Sequence, residues 1–136
     1  MDRSTAETVA IIGAGIGGCY LVAELGIAGF KLRLHDIDDS RLSEIRARGG
    51  VDVEGERAGF APIERATSDL GSAVDGADVI IVVTGGNSRA AVARSLAPLL
   101  RDGQVILLSR VRRIADRAPR PGRRRVPCRG RCRRNG

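Results

Sequence analysis

The stretch Thr8–Cys19 reads TVAIIGAGIGGC, and it decides how the rest of the chain is interpreted. Its first five residues form an apolar, β-branched run that stops at glycine, as a fully buried central strand does. A helix is predicted next, from Ile16 to Ala28, because apolar residues recur there at helical spacing. Those residues are Ile16, Cys19, Tyr20, Ala23 and Ile27, and Gly29 is positioned to end the helix.

The same alternation of strand and helix follows directly. Lys31–His35, KLRLH, is predicted as a second strand, and Asp38–Arg48 as a second helix. Asp39 or Ser40 can cap that helix, and the glycines at 49–50 can close it. Two strand–helix units within about 50 residues favour a parallel sheet with right-handed crossovers.

Four more elements complete the predicted domain. Val51–Ile63 alternates apolar and polar residues around glycines, which is typical of a small hairpin. Ala77–Thr84 and Gln104–Leu108 are predicted as buried strands, with a helix over Ser88–Leu99 between them. The fold class is therefore α/β: a Rossmann-type doubly wound parallel sheet with a hairpin insertion, over residues 1–109.

The G-x-G-x-x-G spacing suggests a specific chemistry for the first turn. Gly13 permits the tight turn, Gly15 lets the backbone approach a pyrophosphate, and Gly18 lets the helix pack close to the sheet. Backbone N–H groups at the helix start can then hold phosphates, and the same turn contributes Ala14, Ile16 and Gly17. The alternative is a doubly wound domain that keeps the glycine turn for packing alone.

Asp36 stands at the end of the second strand, 23 positions after Gly13, where a carboxylate accepts hydrogen bonds from the adenosine ribose. A carboxylate there repels a 2′-phosphate, so the expected cofactor is NAD. Arg41 could pair with such a phosphate, which leaves NADP as the alternative, or it could be a solvated charge on the second helix.

A glycine-containing loop follows the predicted strand Ala77–Thr84, at the carboxyl edge where open α/β sheets bind ligands. Its residues are Thr84, Gly85, Gly86 and Asn87. We expect them to line the ribose and nicotinamide side of the cofactor. The alternative is a flexible turn in which Asn87 or Ser88 caps the next helix.

No catalytic residue is predicted. His35, the single histidine, lies on the adenosine side and is interpreted as structural or ribose-lining. The three cysteines, Cys19, Cys128 and Cys132, indicate neither a disulfide framework nor a metal site, because one CxxxC pair supplies at most two ligands.

Charge divides the chain at Ser109. Residues 1–109 carry a net charge of −4, whereas residues 110–136 hold 12 arginines against one aspartate, Asp116. The second segment is rich in Arg, Pro and Gly and has no aromatic residue, so it is predicted to be disordered. No signal-peptide pattern and no apolar run of about 18 residues is present, which makes a cytoplasmic protein without a membrane partner the expectation.

Three stretches together resemble the N-terminal cofactor domain of the octopine/nopaline (opine) dehydrogenase family. They are VAIIGAGIGG, LHDIDDSRLSEIRARGG and SDLGSAVDGADVIIVVTGGNSRAAVARSLAPLLRDGQVILLS, within Thr8 to Ser109. More distant relatives are the NAD-dependent glycerol-3-phosphate, ketopantoate and 6-phosphogluconate enzymes. The resemblance implies that the chain binds NAD(P). It also implies one of two reactions: the reductive condensation of a keto acid with an amino acid, or a related 2-hydroxy/keto reduction.

Family members also resemble one another in a second, mostly helical domain that supplies the catalytic histidine, and we expect this chain to lack it. Out-of-frame reading of a GC-rich gene would yield the Arg, Pro, Gly and Ala of residues 110–136. The hypothesis is a truncated, frameshift-derived chain that binds the cofactor and cannot catalyse alone. Sequencing the DNA downstream of the stop codon tests it.

The sequence is also compatible with two other functions. One is an NAD-sensing regulatory module that pairs with a partner through an exposed sheet edge, a homodimer included. The other is nucleic-acid binding through the arginine-rich segment, which lacks base-stacking aromatics and would bind anions without specificity.

Overall fold

Seven strands and four α-helices make up the computed structural model, which describes residues 7–53 and 58–109. In chain order they are β1 (Thr8–Ile12), α1 (Ile16–Ile27), β2 (Lys31–His35), α2 (Asp39–Arg48), β3 (Gly50–Val53), β4 (Gly59–Pro62), β5 (Arg65–Thr67), α3 (Leu70–Val74), β6 (Val79–Val82), α4 (Arg89–Leu96) and β7 (Val105–Leu108). Two single-turn 3₁₀ helices, Gly86–Ser88 and Ala97–Leu99, flank α4.

Five strands form one parallel sheet in the order β5-β2-β1-β6-β7. β1 lies at the centre, with Ile12 opposite His35 on one side and Val82 on the other. One core packs on the face with Ile11 and Leu34, and a second on the face with Ile12 and Ile80. The strand order reverses direction at β1, which confirms the doubly wound α/β prediction.

The predicted hairpin is confirmed as the antiparallel pair β3–β4. It packs against α1, where a Cβ on Gly26 would lie 2.6 Å from the Cβ of Ala61. Ala61 itself is fully buried. The hairpin therefore covers the carboxyl-terminal end of α1.

The five apolar residues predicted at helical spacing in α1 are partly buried and partly exposed: Cys19 and Ala23 are buried, and the other three are not. Ile16 and Tyr20 are 72% and 52% exposed, and Ile27 is also exposed. The buried positions are Gly18, Cys19, Val22 and Ala23. Gly18 lets the helix backbone approach the sheet closely. Val22 packs in the core beside the small residues, whereas Ile16, Tyr20 and Ile27 lie outside the contact.

Three predictions about the second half of the domain were incomplete or wrong. β5 and α3 were not predicted, since β5 is the short sequence Arg-Ala-Thr, with no apolar run. The predicted helix Ser88–Leu99 ends its α-helical part at Leu96, and a 3₁₀ turn containing Pro98 follows. β7 was expected to be buried, yet all four of its residues are exposed because it is the edge strand.

The arginine-rich segment 110–136 lies outside the described residues, which end at Ser109. The predicted domain boundary at residue 109 is therefore not tested. The predictions made for that segment therefore stay predictions. Within the described parts of the chain, no helix is long and apolar enough to cross a membrane.

His35, the last residue of β2, ties that strand to the loop after β5. Its side chain is buried, and Nε2–H donates a hydrogen bond to the Ser68 carbonyl oxygen at 3.1 Å. Burial lowers the pKa of His35 below its ordinary value of 6.5. This effect outweighs the opposing influence of the Ser68 hydrogen bond and of the Asp36 and Asp69 carboxylates.

We expect Gly18→Ala to destabilise the domain by roughly 1–3 kcal/mol, as overpacking of a tight contact does. A Cβ at Gly18 would collide with the backbone carbonyl of Gly13. Urea denaturation followed by far-UV circular dichroism measures the change. Gly59→Ala is the matched control, since no described residue lies within 4 Å of a Cβ there. Equal midpoints for Gly18→Ala and the unmodified chain would refute the close contact.

We also expect the free energy of unfolding to fall as the pH is lowered below 6.5, the ordinary pKa of a histidine. The unfolded histidine takes up a proton near that pH, whereas the folded one stays neutral until its lowered pKa is reached, so stability rises with pH across this window. Urea melts between about pH 5 and 7.5 test this on the chain's single histidine. His35→Gln should flatten the profile, and an unchanged slope in that variant would contradict the assignment.

Candidate functional site

The turn after β1 requires glycine at its first position. Gly13 has φ +119°, and a Cβ on it would lie 3.1 Å from the Val83 carbonyl oxygen. The Gly13 N–H donates to the His35 carbonyl oxygen at 2.7 Å. The chain therefore turns sharply between the ends of β1 and β2, in a conformation that other residues rarely adopt.

α1 begins directly after this turn with its backbone N–H groups uncapped by a side chain. Gly15 occupies the N-cap position, forms no side-chain cap bond, and is followed by no acidic residue in the first turn. A Cβ on Gly15 would have nothing within 4 Å among the described residues. Open space beside the positive end of a 12-residue helix is the arrangement that suits a phosphate group.

Asp36 lies immediately after β2, and its side chain reaches back to the glycine turn. Its Oδ2 accepts a hydrogen bond from the Ala14 N–H at 2.9 Å, and its Oδ1 accepts one from the Asp38 N–H at 2.9 Å. The residue is 8% exposed. Two backbone donors thus hold the carboxylate in one orientation, and each oxygen retains a further lone pair for a ligand hydroxyl.

Arg41, on the first turn of α2, extends toward this carboxylate. Its Nη1 lies 3.7 Å from Asp36 Oδ2, and its Nε lies 3.7 Å from Asp38 Oδ2. Its side chain is half exposed, so the guanidinium stands between the buried carboxylate and solvent. Both ion pairs are long, and a competing anion could draw the guanidinium away from them.

Asp38, which was not among the predicted site residues, caps α2. Its Oδ1 accepts hydrogen bonds from the Ser40 N–H and from the Ser40 hydroxyl. These bonds, the hydroxyl's first, hold the pKa of Asp38 below its ordinary value. The predicted caps were Asp39 or Ser40, one or two positions too late, although the Asp-x-Ser spacing was visible in the sequence.

The loop after β6 lies beside the glycine turn. The Thr84 methyl group is 3.5 Å from the position of a Cβ on Gly13, and Thr84 Oγ1 is buried with no partner among the described residues. Gly85 leads into the 3₁₀ turn Gly86–Ser88. Ser88 holds the N-cap position of α4 without a side-chain cap bond, so side-chain capping by Asn87 or Ser88 does not explain this loop.

Arg89 is a second residue that the sequence did not single out. It is the first residue of α4, and its Nη2 donates to the Ser109 carbonyl oxygen at 3.0 Å. The contact joins the end of the Thr84–Asn87 loop to the end of β7. No local pattern predicts it, because the partner lies 20 positions away and depends on the sheet order.

The structure brings the predicted site residues to one edge of the sheet. The turn Gly13–Gly18, the pair Asp36 and Arg41, and the loop Thr84–Asn87 follow the carboxyl ends of β1, β2 and β6, which are adjacent. Ligands of open α/β sheets bind at this place. In residues 7–53 and 58–109, no cluster of three or more metal-ligating side chains is found.

Comparison with known proteins agrees with this geometry. Residues 9–110 match the family model described as ketopantoate reductase PanE/ApbA. The chain is 38% identical over 104 residues to the opine dehydrogenase of Arthrobacter sp. (strain 1C), across 76% of this chain and 29% of that protein. It is 34% identical over 102 residues to the glycerol-3-phosphate dehydrogenase [NAD(P)+] of Stenotrophomonas maltophilia (strain R551-3), across 71% and 28%.

Among solved structures, the glycerol-3-phosphate dehydrogenase of Coxiella burnetii superposes with a TM-score of 0.62 at 25% identity, over 76% of this chain and 32% of that one. The chain spans less than a third of the length of the opine dehydrogenase and of the Stenotrophomonas maltophilia enzyme that it matches. The family match covers nearly the whole described region, strands and site loops included. On this evidence the chain belongs to the ketopantoate reductase PanE/ApbA family.

Proposed function

We propose that residues 1–109 form the NAD(P)-binding domain of an oxidoreductase of the opine dehydrogenase type. The observation that carries the proposal is the open space at Gly15, beside an uncapped helix start and a fixed, buried carboxylate. The identity to an opine dehydrogenase supports the reaction class. That class is the reductive condensation of a keto acid with an amino acid, or a related 2-keto reduction.

Different residues of the site bind different parts of the dinucleotide. The backbone of Gly13–Gly18 holds the diphosphate, and the Asp36 carboxylate accepts hydrogen bonds from the adenosine ribose. The loop Thr84–Asn87 lies on the nicotinamide side, where the buried Thr84 Oγ1 can find a partner. When bound, NAD(P) supplies or accepts the hydride.

Hydride transfer also needs a substrate held against the nicotinamide and a proton donor beside it. His35 cannot serve as the proton donor, because its Nε2–H already donates to the Ser68 carbonyl oxygen. Its ring is also buried, at the end of β2 on the adenosine side of the proposed site. We therefore propose that residues 7–53 and 58–109 bind the cofactor without turning over a substrate. The acid and base of the reaction would come from a substrate domain.

The Asp36–Arg41 pair supports a preference for NAD over NADP. A 2′-phosphate would meet the fixed Asp36 carboxylate, which costs electrostatic energy in a poorly solvated position. Arg41 can offset part of that cost by turning from Asp36 to the phosphate. NADP is then the weaker ligand rather than an excluded one.

The diphosphate contact predicts that Gly15→Val weakens NADH binding about 30-fold or more, which corresponds to roughly 2 kcal/mol. The valine side chain would fill the space that the phosphates need, while the described residues leave it room to fold. Isothermal titration with NADH measures the change. Gly59→Val is the matched control, because it adds the same side chain on β4 at a position where no described residue lies within 4 Å of a Cβ. No detectable NADH binding by the unmodified chain would overturn the proposed function.

For cofactor choice, we expect Arg41→Ala to weaken NADPH binding about tenfold while NADH affinity changes less than about threefold. The variant removes the cation that offsets repulsion of the 2′-phosphate by Asp36. Competition titrations with both cofactors measure the ratio. Arg48→Ala is the control on the same helix, since Arg48 pairs with Glu44 and Asp52 instead. Equal losses for the two cofactors would assign Arg41 to general packing.

A further inference from the structure

His35 is a buried titratable residue for which the proposed chemistry has no use. It ends β2, and its pairing partners in the sheet are Ile12 of β1 and Thr67 of β5. The residue is 5% exposed. Buried polar side-chain atoms nearly always have a hydrogen-bond partner, so each nitrogen of this ring calls for one.

The hydrogen bond to Ser68 fixes where the ring carries its proton. Ser68 offers a backbone carbonyl oxygen, which can only accept, so Nε2 at 3.1 Å from it carries the hydrogen. Nδ1 of the neutral ring then holds a bare lone pair, and it is buried without a partner among the described residues. A protonated ring would place an N–H at Nδ1 with no acceptor, which costs free energy in a buried position.

Two carboxylates act on the ring, those of Asp36 and Asp69. Each is held by backbone donors instead of by the ring: Asp36 by Ala14 and Asp38, and Asp69 by Gly71. Burial outweighs their attraction, so the pKa of His35 is lowered. The other titratable or charged residues of β2 and of the elements packed against it make contacts elsewhere or are exposed: Glu24, Tyr20, Lys31, Arg33, Arg65 and Asp75.

The backbone of His35 is part of the candidate site. Its carbonyl oxygen accepts the Gly13 N–H at 2.7 Å, at the first position of the glycine turn. The next residue, Asp36, extends its carboxylate to the Ala14 N–H. Movement of His35 would therefore displace the glycine turn and the Asp36 carboxylate together.

We propose that His35 is a positioning residue for the dinucleotide, and that the site keeps its binding geometry only while the ring is neutral. The inference rests on the proposed function of cofactor binding. The neutral ring holds the end of β2 to the Ser68 loop through Nε2–H. Once Nδ1 is protonated, the ring leaves its buried position, and the backbone of His35 and Asp36 moves with it.

The direction of the pH effect follows from which state binds the proton. A ring released to solvent takes up a proton near its ordinary pKa of 6.5, whereas burial lowers the pKa of the ring in place. Acid therefore favours the released state, and NAD affinity falls as the pH drops below 6.5. A bound diphosphate favours a protonated ring, but it would lie in the open space beside Gly15, where water screens its charge.

Isothermal titration of the full 136-residue chain with oxidised NAD, which withstands mild acid, tests the proposal between about pH 5.5 and 8. We expect the dissociation constant to rise about three- to tenfold from pH 7.5 to 5.5, as uptake of one proton allows.

Two variants separate the hydrogen bond from the titration. His35→Gln should bind NAD within about twofold of the unmodified chain at pH 7.5 and lose this pH dependence. Its amide can donate to the Ser68 carbonyl oxygen and does not titrate. His35→Leu has no donor, so it should bind about threefold or more weakly at every pH.

Far-UV circular dichroism at each pH establishes that the chains are folded, and His35→Gln alone decides if His35→Leu is not. A histidine that only stabilises the fold would change the urea midpoint and leave the NAD affinity of the folded chain constant. An affinity that is constant, that rises in acid, or that falls equally in His35→Gln would overturn this proposal alone. Absence of NAD binding at every pH would overturn the proposed function, and this inference with it.

Discussion

The contact between Gly18 and the backbone carbonyl of Gly13 is the constraint on which the rest of this domain depends. No side chain fits between the two, so α1 lies against the end of β1 at backbone distance. That approach sets the direction of the first helix and leaves its N-terminal N–H groups beside Gly15. A larger residue at 18 would separate the helix from the sheet and move the N–H groups that we propose to bind phosphate away from the carboxyl edge.

The hydrogen bond from Ala14 N–H to Asp36 Oδ2 joins the two halves of the site. It makes the Asp36 carboxylate part of the fold as well as part of the proposed ribose contact. Because Asp38 N–H holds the other oxygen, the side chain pays little rotamer entropy when a ligand arrives. The same fixed position explains why a 2′-phosphate would be disfavoured: the carboxylate cannot turn aside, so the adjustment falls to Arg41.

The features that could be predicted from the sequence are those encoded in short stretches of it. The glycine spacing, the apolar runs of β1 and β6, and the position of Asp36 are signals that a sequence carries. The structure has the two runs as adjacent central strands, with the glycine turn and Asp36 at the carboxyl edge. β5 was missed because Arg65–Thr67 becomes a strand only by pairing with β2. Of the apolar residues predicted at helical spacing in α1, Cys19 and Ala23 are buried while Ile16, Tyr20 and Ile27 are exposed, because spacing alone does not show which side of the helix faces the sheet. The exposure of β7 depends on strand order, which no window of sequence contains.

Arg89 joins the end of β7 to the loop on the proposed cofactor side. Its Nη2 bonds to the Ser109 carbonyl, while the Ser109 N–H donates to Val82 at the end of β6. The Thr84–Asn87 loop lies between those two anchor points. The end of β7, the start of α4 and the end of β6 thus share one hydrogen-bonded support, which holds both ends of the loop on the proposed nicotinamide side.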